Sequence, residues 1–137
     1  MAHSAFPPTA VADFAEAYPL APQHLTHNIA GHPLLEISAL LALAERMRPE
    51  TLEHNAAVDL PLGISNAEVP ANGLSVAETI ARIGECGSWV LLKNIEQDPA
   101  YAALMREVLS QVEPIVRPAT GPMIRLEGFI FVSSPRR

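Results

Sequence analysis

Five histidines are the side chains best suited to chemistry in this sequence, and their spacing decides what they can do. His24 and His27 stand three apart and His32 follows, but they lie in an arm interrupted by Pro7, Pro8, Pro19 and Pro22. No regular face would converge these rings there, and no cysteine or carboxylate joins them at the spacing of a metal site. A mononuclear iron oxygenase needs two histidines and one carboxylate, usually announced by His-x-Asp or His-x-Glu. None of His3, His24, His27, His32 and His54 has Asp or Glu two positions on. The histidines are therefore expected at the surface or in local hydrogen bonds, and no metal ligand is assigned. Cys86 is the one thiol. It follows Glu85 at a predicted helix C-terminus, where the carboxylate and the helix dipole both raise a thiol pKa, so a structural role is expected rather than a nucleophilic one.

Phosphate-binding loops find no support. Walker A and GxGxxG patterns are absent, and Gly84-Glu85-Cys86-Gly87 matches a KH loop only in its glycines, since its middle residues are acidic and neutral. Trp89 and Lys93 share strand parity and should point to one face. Lys93 fits a solvated strand end better than a carboxylate site, because lysines are rarely buried unpaired. Arg125 and Glu127 share parity in the same way and are expected to pair with a neighbour. Tyr101, Leu104, Met105 and Val108 are expected in the core. No catalytic residue is assigned, and the pattern identifies no cofactor-binding residue.

The elements that must position these side chains follow from periodicity and punctuation. Residues 1–32 read as an extended arm broken by Pro7, Pro8, Pro19 and Pro22, with a short helix through Val11 to Ala17. Ile37, Leu40, Leu41, Ala44 and Met47 follow the spacing of an amphipathic helix that Pro49 stops. Thr51 to Asn55 is a candidate strand, followed by an aperiodic loop from Asp59 to Gly73. Ser75-Val76-Ala77-Glu78 is a capping box that opens a helix ended by Gly84 or Gly87. Ser88 to Lys93 is a short continuous apolar run, which predicts a strand covered on both faces. Asp98 caps a helix with Pro99 at its first position, and Pro114 is expected to terminate it. A last strand is expected through Ile124 to Val132.

Composition narrows the class. The 137 residues suit one ordinary domain, and 49% apolar residues supply a core. The 13 prolines imply long irregular connections. Nine basic and fifteen acidic residues leave a net charge of -6, with no Lys or Arg before Arg46, so direct nucleic-acid binding is disfavoured. No apolar run approaches a membrane span, no signal or transit peptide is read at the N-terminus, and one cysteine forms no internal disulfide. The expected location is cytoplasmic. A Phe129-Ile130-Phe131-Val132 strand at a sheet edge also invites another chain, whether a second copy or a partner strand.

Several segments in order carry a family resemblance. His27-Asn28, His32-Pro33-Leu34, Glu53-His54-Asn55-Ala56, Gly87-Ser88-Trp89-Val90-Leu91-Leu92-Lys93-Asn94, Asp98-Pro99 with Tyr101, and Gly128 to Pro135 together resemble the N-terminal part of bacterial cupin-like proteins of the jumonji (JmjC)-type, aspartyl/asparaginyl hydroxylase-like group. The resemblance implies an α+β fold in which a helical N-terminal region packs on the first strands of an incomplete double-stranded β-helix, with residues 33–137 as that domain's opening portion. Catalytic members bind Fe(II) and 2-oxoglutarate through a His-x-Asp/Glu motif that follows the segment similar to Phe129–Pro135. No residue of this sequence matches that motif, so the resemblance implies a chain truncated before its metal site and without a cofactor of its own. A small α+β interaction or dimerisation module, open to a regulatory role, is the alternative.

Overall fold

The computed structural model describes residues 4–57 and 70–135. Among them are five α-helices and one three-stranded antiparallel sheet, an α+β arrangement. The residues cluster into two units. One holds the described residues up to His32 together with Glu96–Glu127, and the other holds Pro33–Ile95 and the described residues from Gly128 on.

In the second unit, helix α2 (Ile37–Arg46) buries Leu40, Leu43 and Ala44, the stripe its apolar spacing sets out. A single 3-10 turn at Pro49–Thr51 leads into strand β1 (Leu52–Ala56). Helix α3 (Val76–Ala81) opens on the expected capping box: Glu78 N donates to Ser75 Oγ at 3.1 Å, and Ser75 N donates to Glu78 Oε2 at 2.8 Å. The pairing with Ser75 holds the Glu78 carboxyl below the usual glutamate pKa, the bond to the Ser75 backbone first. The helix ends at Ala81, and Gly87, at φ +57°, turns the chain into strand β2 (Ser88–Lys93). Strand β3 (Phe129–Ser133) completes the sheet in the order β1-β2-β3. Helix α2 packs on α3, and α3 packs on β1 and β2.

The first unit contains helices α1 (Pro8–Ala17), α4 (Pro99–Ser110) and α5 (Glu113–Thr120). The N-terminal stretch is thus helical over more of its length than Val11–Ala17. Its start is fastened by one side chain and one backbone bond: Gln111 Oε1 accepts from Ser4 Oγ at 2.7 Å and from Phe6 N at 3.0 Å, while the backbone Asn28 N donates to Ala5 O at 2.7 Å. Tyr101 and Ala102 of α4 are buried, as are Ala5 and Ala10. Asp98 accepts from Ala100 N at 3.1 Å and Pro99 occupies the first turn, as the sequence implies.

Three expectations need correction. Pro114 does not close α4, which ends at Ser110; it sits in the first turn of α5, where its missing N-H breaks no helical bond. The last strand does not begin at Ile124. Strand β2 ends at Lys93, Asn94 turns away at φ +56°, and Ile95 N bonds the Gly128 carbonyl at 3.1 Å, so among the described residues no strand lies beside 124–127 and their β propensity is unrealised. Among the described residues, strand β2 is fully covered on one face and partly on the other. Ser88, Val90 and Leu92 are buried, whereas Trp89, Leu91 and Lys93 are half-buried. The aperiodic stretch from Asp59 lies largely outside the described residues.

Candidate interaction surface

Antiparallel register decides which side chains meet on the uncovered face of the sheet. Trp89 lies opposite Asn55 and Ser133, Leu91 opposite Glu53 and Phe131, and Lys93 opposite Phe129. Phe129 and Phe131 are 55% and 61% exposed, although each sits in a regular strand. The Trp89 and Phe131 rings stack diagonally with centroids 5.8 Å apart and planes 20° apart. Lys93 Nζ donates to Glu53 Oε1 at 2.8 Å across β1 and β2, which places a charged clasp at one end of this aromatic face. Lys93 therefore holds a carboxylate of its own chain instead of ending the strand in solvent.

The two outer strands differ. Along β1, Ala56 N donates to Pro70 O at 3.1 Å, so the residues after position 69 return to its edge. Among the described residues, strand β3 has β2 on one side and no strand on the other. No charged residue occurs from Gly128 to Pro135, so the edge carries none of the lysines or glutamates that usually discourage pairing.

The covered face is held by a polar network that spacing alone did not single out. Asn72 Nδ2 donates to Thr79 Oγ1 and to Ser88 Oγ, both at 2.9 Å, and its Oδ1 accepts from Leu74 N at 3.0 Å. Ser88 N donates to Ser134 Oγ at 3.0 Å, and Ser134 Oγ donates to the Ile83 carbonyl. The network binds the loop before α3, α3 itself and two strands into one body. An Asn-Gly pair two residues before a capping box was its signal in the sequence.

Residues considered for chemistry fall apart from one another. His24 and His27 are exposed, and His27 Nδ1 accepts locally from Ile29 N at 3.3 Å. His32 is half-buried in the same stretch, while His54 bonds the Leu74 carbonyl through Nε2 at 2.7 Å. His3 lies outside the described residues. Cys86 is half-buried, with its thiol directed at Thr79 O, 3.7 Å away. Arg125 and Glu127 pair with each other at 3.1 Å. Among the described residues no three His, Cys, Asp or Glu side chains gather as a metal site, and no helix is long and apolar enough to cross a membrane. Comparisons with protein-family models, curated proteins and solved structures gave no match.

Proposed function

We propose that this chain is the opening segment of a cupin-like, jumonji-type oxygenase-related fold, and that its part is to present a sheet for completion rather than to catalyse. The observation that carries the proposal is the uncovered face of Trp89, Leu91, Phe129 and Phe131, opposite a face covered by α3. A two-sheet β architecture packs its sheets about 10 Å apart through interdigitating apolar side chains, and this face offers one half of such a contact. The segments that carry the resemblance, Gly87–Asn94 and Gly128–Pro135, contain the adjacent strands β2 and β3. On this reading Fe(II) and 2-oxoglutarate belong to the catalytic relatives that the resemblance names, and no residue of this chain is assigned to hold them. A cytoplasmic location and no direct nucleic-acid contact go with this reading, given the net charge of -6 and the single cysteine. Incubating the purified chain with Fe(II), ascorbate and 2-oxoglutarate tests it: succinate should stay at the blank level, and turnover by these residues would refute the non-catalytic role. Coding sequence after Arg137 that contains no His-x-Asp or His-x-Glu in any frame would count against the family.

A second reading is favoured by the uncharged β3 edge. In it the chain is a small α+β interaction module that pairs through Phe129–Val132 with a second copy or a partner strand. Light scattering across a concentration series separates the two: a clean monomer at high concentration rules out self-pairing, and a dimer abolished by Phe131→Lys supports it.

A further inference from the structure

Away from the sheet, within the first unit, α4, the start of α5 and the irregular segment after α5 enclose a solvent-open groove of about 460 Å³. That volume is within the ~300–1,000 Å³ of small-molecule sites. Its apolar lining includes Leu109, Met123 and Leu126, and its charged lining includes Arg106, Arg125 and Glu113. The charges are unequally engaged. Arg125 is bonded by Glu127 at 3.1 Å, and Glu113 lies 3.9 Å from Arg117 on its own helix. Arg106, exposed on α4, makes no ion pair or side-chain hydrogen bond with the described residues. Ser110 has its hydroxyl proton on Glu107 O at 2.7 Å and offers none to a ligand. In a chain of net charge -6, this groove thus combines an apolar wall with an excess of cation and one guanidinium that the described residues leave unengaged.

We propose that the groove binds a small amphiphilic monoanion, a carboxylate on a short aliphatic tail. The carboxylate is taken by the Arg106 guanidinium, whose paired N-H groups match its two oxygens, and the tail lies on Leu109, Met123 and Leu126. Exclusion of a positive headgroup follows from the same charges.

Titration of the intact, isotope-labelled chain with sodium octanoate tests this. Saturable shifts are expected at the methyl groups of Leu109, Met123 and Leu126, in the millimolar range suited to so small a ligand. Arg106→Gln should weaken binding about tenfold, the order expected for losing a charge-assisted hydrogen bond, while Arg82→Gln in the other unit leaves it unchanged. Unshifted signals from Ala10 and Tyr101, buried in the same unit, would show that the Arg106 variant still folds there. Octanol binding as tightly as octanoate, equal binding by the Arg106 variant, absence of saturable shifts, or shifts confined to Trp89 and Phe131 would each overturn the proposal.

Discussion

Replacing Asn72 asks how strongly the loop before α3 is fastened to the sheet. Its amide nitrogen faces two hydroxyl oxygens that have already committed their protons: Thr79 Oγ1 donates to Ser75 O at 2.8 Å, and Ser88 Oγ donates to Cys86 O at 3.0 Å. Asn72 is therefore the donor for both sets of lone pairs. Thr79 and Ser88 are 0% exposed, so water cannot readily take its place. Asn72→Ala removes three hydrogen bonds, and at roughly 0.5–1.5 kcal/mol each the loss is about 2–4 kcal/mol. Asn72→Asp has nearly the same shape and keeps an acceptor for Leu74 N, yet at neutral pH it brings a carboxylate against two oxygens that have no proton to give. To satisfy it, Thr79 or Ser88 must turn from its backbone carbonyl. The Asp variant is expected to lose at least as much as the Ala variant at pH 7, and to recover part of it as acid restores a proton to the side chain. Urea unfolding followed by far-ultraviolet circular dichroism, with midpoints compared at fixed slope, measures this. A change below about 0.5 kcal/mol for Asn72→Ala, within the range of an ordinary surface substitution, would refute the reasoning. So would an Asp variant more stable than the Ala variant at pH 7.

Other outcomes follow from the same geometry. Leu43→Ala, at a fully buried site on α2, should cost about 2–5 kcal/mol, whereas Phe131→Ser should cost about 1 kcal/mol for the lost ring pair; equal urea midpoints would contradict the one-sided sheet. The depressed Glu78 pKa means that its contribution is complete above the usual glutamate value and lost as pH falls through the lower folded value. Ser75→Ala keeps the backbone N-H that donates to Glu78 and removes only the hydroxyl, so it should move the Glu78 carboxyl titration, followed by carbon NMR, only part of the way up toward an ordinary glutamate; a full return would count against the backbone bond as the main cause. Lys93→Ala should lower stability by no more than about 1 kcal/mol, because the Glu53 pair is partly exposed, and its effect should shrink in high salt.

Local chemistry was legible where one residue type dictates one conformation. Ser75 with Glu78, and Asp98 with Pro99, fix the starts of α3 and α4 from sequence alone because caps depend only on neighbours. What depended on distant partners was harder to read. Val90 and Leu91 look alike in the sequence, and only the placement of α3 makes one buried and the other half-exposed. Pro114 carried two opposite meanings, an end for the helix before it or a start for the one after, and α5 went unread in consequence. For Ile124–Glu127, strand propensity needed a neighbouring strand that β2 no longer supplies there. Of the candidate surface, the edge Phe129–Val132 was visible as a pattern, but the diagonal stack of Phe131 on Trp89 depends on register, which no spacing rule supplied.

The hydrogen bond from Ile95 to Gly128 has a kinetic meaning. The chain leaves the sheet at Ile95, builds α4 and α5, and comes back to the same place, so β2 and β3 form a hairpin whose turn is the whole excursion from Glu96 to Glu127. Compared with a turn of a few residues, closing so long a loop adds roughly 2 kcal/mol of chain entropy to the unfolded side, at about 0.6 kcal/mol per doubling of length. The connection from β1 to β2, residues 57–87, is nearly as long, so neither pairing of this sheet is held by a local turn and both wait on contacts made elsewhere. Until the excursion closes, β3 and its uncharged aromatic edge stand apart from β2, and in that interval this chain is open to pairing with the wrong strand.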